Sequence, residues 1–184
     1  THCISSAASD VYKRQYYWYS RKRSNNYLEN DDFNLRYFIQ KQVDFRGRTT
    51  GYECLLRQQN TDGSWSLPPQ LDSLPLQRVI FLLEDTFKAL PDEAITLSIN
   101  LEYEQIISPE FRYFVRWAIA NIEPMHLAIE YTPQYQPRRI NKRLFRRRIR
   151  EARGYGMQFG IDNVGASLAN LKNIQWLLKA TECF

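Results

Sequence analysis

Between residues 35 and 162 the apolar positions switch in turn between a period of two and a period near 3.6. Residues 35–44 and 49–56 read as two strands joined by a turn at Arg46-Gly47-Arg48, a hairpin signal. A Gly/Ser/Pro loop over 60–69 follows, and Val79, Ile80, Leu82, Leu83, Phe87 and Leu90 then mark the buried stripe of a helix. ITLSINL at 95–101 alternates as a strand does. Ser108-Pro109-Glu110 predicts a helix start, with Phe111, Phe114, Val115, Ala118, Ile119 and Ile122 as its apolar face. LAIEY at 127–131 predicts a strand, residues 138–153 a strongly basic helix, and MQFGID at 157–162 another strand. Strands alternating with helices predict an α/β fold with a parallel sheet.

Alternation also sorts the side chains. In 95–101, Ile95, Leu97, Ile99 and Leu101 share one face, and Thr96, Ser98 and Asn100 the other. The polar member late in each strand is Asn100, Glu130 or Asp162, and Glu53 takes the comparable place in TTGYECLL. In a (β/α) barrel the site lies at the C-terminal strand ends, where four oxygen donors would cage a hard divalent cation. The plainer alternative is that each is a strand-end polar group facing water.

Composition narrows the chemistry. The 184 residues are 43% hydrophobic and 24% charged, which suits one folded domain rather than disorder. Cys3, Cys54 and Cys183 lie too far apart in sequence for a CxxC site, and His2 and His126 cannot supply a multi-histidine zinc site. Any metal is therefore expected on oxygen. With no apolar run near the ~20 residues of a membrane span and no secretory h-region, the expected location is cytoplasmic. The net charge of +5 is concentrated in 138–153, where nine Arg and Lys face the single acid Glu151. That segment reads as a phosphate or nucleic-acid stripe, or as a solvated outer helix whose apolar face is Ile140, Leu144, Phe145, Ile149 and Ala152. Gly154 and Gly156 precede a strand, so they predict a helix C-cap rather than a dinucleotide fingerprint.

The motifs GYECLLR (51–57), LSINLEYEQIISPEF (97–111), LAIEYT (127–132) and FGIDNVGASLANLKNI (159–174) resemble, in order, those of the EAL domain, the bacterial cyclic-di-GMP phosphodiesterase. The likeness runs from about Tyr37 to Trp176. It implies a partial (β/α)8 TIM-type barrel with an antiparallel first strand, and hydrolysis of cyclic-di-GMP to pGpG with Mg²⁺ or Mn²⁺. It further implies that Glu53, Asn100, Glu130, Asp162 and Asn163 are metal ligands, with Glu53 and Asp162 catalytic. Gln40 and Arg57 match positions that contact the dinucleotide.

Three departures stand beside the matches. The naming triplet reads Glu53-Cys54-Leu55. Asn163 replaces the second of two adjacent aspartates, which weakens a second metal, and Ala166 and Ser167 alter the following loop. The chain also stops short of the family's later strands, so residues 35–184 are expected to be an incomplete EAL domain. Residues 1–20 are expected to be a non-native or disordered extension and 21–34 a linker. The 184-residue chain alone is expected not to turn over cyclic-di-GMP; Mg²⁺-dependent hydrolysis by the purified chain would refute this. The alternative function is a degenerate, non-catalytic EAL-like domain that binds the dinucleotide or a protein. A homodimer, and an upstream sensor or membrane segment outside this chain, stay open as partners; specific DNA or RNA binding is not expected.

Overall fold

The hairpin that opens the fold is shaped by one carboxylate and one glycine. Strands β1 (Leu35–Val43) and β2 (Thr49–Gln59) pair antiparallel, with a bulge between Gln42 and Val43. At their junction the Asp44 side chain accepts from the Arg46 and Arg48 amides and from Arg48 Nε, while Gly47 takes φ +76°. That backbone region suits glycine, as the Arg-Gly-Arg signal predicts. These bonds hold the Asp44 carboxyl below the usual carboxylate range, the Arg48 amide contributing most.

The computed structural model describes residues 34–68, 74–90, 96–122, 125–133, 140–162 and 171–178. The remaining elements are β3 (Trp65–Ser66), α1 (Leu76–Phe87), β4 (Thr96–Asn100), α2 (Tyr103–Ile107), α3 (Phe111–Asn121), β5 (His126–Tyr131), α4 (Lys142–Gly154), β6 (Gln158–Ile161) and α5 (Leu171–Leu178). The sheet order is β1-β2-β4-β5-β6, with β3 on β2. β1 and β3 run antiparallel to β2, and the β2-β4, β4-β5 and β5-β6 pairs are parallel. This is part of a (β/α)8-type barrel with an antiparallel first strand, as expected.

Several boundaries differ from the sequence reading. β2 runs on to Gln59 because β3 pairs with its end; Phe38 packs on Trp65 there, ring centroids 5.2 Å apart. The helix before β4 runs from Leu76 to Phe87, so Leu90, read as part of its apolar stripe, falls beyond its end. A one-turn helix, α2, intervenes before α3, closed by a capping box between Glu102 and Gln105. Ser108 does not open α3 as read. Its hydroxyl turns back to the Gln105 carbonyl at the end of α2, and Glu110 is the α3 N-cap.

The apolar faces of the strands meet the helices. Leu97, Ile99, Leu127, Ile129, Tyr131 and Phe159 are buried against Val79, Ile80 and Leu83 of α1, Phe114 and Ala118 of α3, and Phe145 and Ile149 of α4. Phe145 lies at the centre of an aromatic group formed by Tyr103, Tyr131, Phe159 and Trp176. The basic helix thus does have a buried face, but Arg148 shares it with Phe145, Ile149 and Ala152. At its end Gly156 takes φ +89°, the left-handed residue just past the helix that the Gly154 and Gly156 pattern predicts.

Cys54 sits in the core at 1% exposure between Ile39 of β1 and Ile99 of β4. Burial first, and then the charge of Glu53, push its thiol up to about 12. Since the thiolate is the nucleophile, Cys54 should resist iodoacetamide at pH 8 in the native chain and react after urea unfolding. Site-resolved mass spectrometry reads this; equal labelling in both states would show that the residue is not held in the core.

Candidate strand-end site

The register of the parallel ladders decides which polar groups meet. Glu53 lies opposite Ser98, Asn100 opposite Glu130, and Glu130 opposite Gly160. Gln40 lies opposite Glu53 across the β1-β2 hairpin. Paired residues share a face of a sheet, so Gln40, Glu53, Asn100 and Glu130 are on one surface, the face away from the helices. Asp162 follows β6 directly, and its amide donates to the Tyr131 carbonyl at 3.0 Å.

Hydrogen bonds join these groups in part. Asn100 Nδ2 donates to Glu53 Oε1 at 3.1 Å, and Thr132 Oγ1 donates to Asp162 Oδ2 at 3.2 Å. Ser98 is buried, receives Gln42 Nε2 at 3.3 Å, and hydrogen-bonds the Glu130 carboxylate. Ser98 and Gln42 escaped the sequence reading as site residues. Alternation carried the signal, because Ser98 is two residues before Asn100 and Gln42 two after Gln40.

Glu130 is the electrostatic centre. Burial raises its pKa most, and the negative charges of Glu53 and Asp162 raise it further, against a lowering by the Ser98 hydrogen bond. A carboxylate that feels two others, beside an amide oxygen source, fits a hard divalent cation, which would relieve that repulsion. The fit is incomplete as placed. Among the described residues no three His, Cys, Asp or Glu side chains stand close enough to hold an ion together. Asn100 also presents its NH₂ to Glu53, so it would have to turn its amide to offer Oδ1.

The remaining candidates fall unevenly. Arg57 is on the Glu53 face but four residues further along β2, opposite Arg36, where its Nη1 donates to the Leu56 carbonyl at 2.9 Å. Asn163, Ala166 and Ser167 lie outside the described residues, as do Arg138, Arg139, Cys3, Cys183 and residues 1–33. Among the described residues no helix is long and apolar enough to cross a membrane.

This architecture is shared with solved EAL domains. The Bacillus subtilis YkuI protein, which has an EAL domain and was solved with c-di-GMP and calcium, matches 79% of this chain and 40% of its own, at 15% identity and a TM-score of 0.59. The FimX EAL domain from Pseudomonas aeruginosa, bound to c-di-GMP, matches 77% of this chain and 62% of its own, at 16% identity and 0.53. The MucR phosphodiesterase in its c-di-GMP complex matches 78% and 63%, at 22% identity and 0.53. The described fold is that of an EAL domain, and the chain spans 40–63% of the length of these three proteins. No protein-family model and no curated protein matches the sequence.

Proposed function

We propose that the chain is a cyclic-di-GMP phosphodiesterase-type domain whose strand-end oxygens hold Mg²⁺ or Mn²⁺ against the dinucleotide. The observation that carries this reading is the shared surface of Glu53, Asn100 and Glu130, set by two parallel ladders, with Asp162 just beyond the next strand. Glu53, Asn100, Glu130 and Asp162 would hold the cation, which when bound supplies charge neutralisation at phosphorus and a more acidic water. Gln40, opposite Glu53 on the same face, would donate to the ligand. Arg57 would serve as a phosphate fork only if its side chain left the Leu56 carbonyl. Ser98 keeps Glu130 oriented and favours its charged form, the state a cation requires.

The test is calorimetric titration of the 184-residue chain with cyclic-di-GMP in Mn²⁺ and in EDTA. Binding is expected with Mn²⁺, and both EDTA and Glu130→Gln should weaken it at least tenfold. Absence of binding, or binding indifferent to EDTA and to Glu130→Gln, would overturn the proposal.

A further inference from the structure

A cleft of about 300 Å³ opens between α3 and α4 on the outer helical layer. Its walls are Phe111, Arg112, Val115 and Arg116 of α3, with Arg148, Glu151 and Ala152 of α4, and Tyr155 stands at its end. None of these residues is on a strand, so the cleft owes nothing to the strand-end site.

Its charge arrangement is unusual. Arg112 grips Glu151 with two bonds, Nε to Oε2 at 3.0 Å and Nη2 to Oε1 at 2.7 Å. Arg148 Nη1 also reaches Glu151 Oε2 at 3.4 Å, and Arg147 Nε lies 3.9 Å from Oε1. Three guanidinium groups therefore share one carboxylate. Arg148 is only 7% exposed, and its Nε has no hydrogen-bond partner although it is buried. A buried charged donor left unmatched costs stability, which marks Arg148 as a strained member of this cluster.

We infer that this cleft binds a small phosphate monoester with a flat apolar body. Arg112 and Arg148 line the cleft against the single carboxylate of Glu151, an excess of positive charge that favours an anion, and a guanidinium fork matches phosphate oxygens. Phe111, Val115 and Ala152 give the lining an apolar part, and Tyr155, 55% exposed, adds an aromatic ring. The volume lies at the small end of ligand pockets, room for a phosphate and one ring. The exposed stripe of the same helix, Arg143, Arg147 and Arg150, would attract any polyanion but has no such cavity.

Calorimetric titration of the full chain with phenyl phosphate, inorganic phosphate and benzoate, in a buffer free of phosphate and divalent metal, tests this. Phenyl phosphate should bind saturably at one site, at least tenfold tighter than benzoate, with inorganic phosphate competing. Arg148→Met should weaken it at least tenfold with an unchanged far-UV circular dichroism spectrum, and Arg143→Gln and Arg150→Gln should each change it less than twofold. If Arg148→Met does not fold, Arg116→Gln at the rim carries the same expectation of weakened binding. No saturable binding, benzoate binding equally well, or equal losses from Arg143→Gln and Arg150→Gln would overturn the inference.

Discussion

Gly51→Ala should cost the chain its β2-β4 pairing and, with it, the strand-end site. A Cβ at Gly51 would overlap the Thr96 carbonyl oxygen, a backbone atom that cannot rotate away, and would crowd Gln42 Oε1 at 3.2 Å. Thr96 is the ladder partner of Gly51, two residues before the Glu53–Ser98 pair, so relief requires the strands to part where the site is anchored. Overpacking in a buried position costs about 1–3 kcal/mol, and more when backbone must move; at a urea slope of about 2 kcal/mol/M this lowers the midpoint by roughly 0.5–1.5 M. The cyclic-di-GMP binding proposed above should fall with it, since Glu53 leaves Asn100. A variant with the parental urea midpoint and parental ligand affinity would show that the strands approach less closely at this point.

Phe145→Ala should be the most damaging change in the helical layer. The ring is fully buried, with centroids 5.0 Å from Tyr131, 5.5 Å from Trp176, 5.7 Å from Tyr103 and 6.1 Å from Phe159. Removing it leaves a cavity lined by rigid aromatic rings that cannot collapse, so the loss should be at the upper end of the usual ~3–5 kcal/mol for such truncations. That is a large part of the ~5–15 kcal/mol that holds a domain folded, and it should lower the melting temperature by roughly 10 °C or more. Phe145→Leu should recover a large part of the loss. If Phe145→Ala melts within a degree or two of the parent, α4 does not pack on the sheet as described.

The elements that could be read from sequence are those whose burial repeats locally. Leu97 and Ile99, or Phe145, Ile149 and Ala152, announce their periods without reference to anything distant, and Gly47 and Gly156 mark turns whose positive φ is a local need. The candidate site was legible for the same reason, since Asn100, Glu130 and Asp162 are polar positions at the ends of alternating strands. What escaped was set by partners far along the chain. β3 exists because β2 extends a pairing edge to Gln59, and α2 because Glu102 and Gln105 close on each other just past β4. Ser98 reads as one more small polar strand residue until Gln42 and Glu130 meet it.

By itself the sequence determined the alternation of strand and helix, the antiparallel hairpin ahead of a parallel sheet, and the confinement of oxygen donors to strand ends. These follow from side-chain period and turn chemistry, which act within a few residues. Only the tertiary structure decided that Asn100 faces Glu130 and bonds Glu53, since ladder register fixes neighbours across strands 30 to 47 residues apart. It also decided that Arg148, one arginine among many on α4, turns inward beside Glu151 while Arg143 and Arg150 face water, because packing against α3 selects which side of a helix is buried.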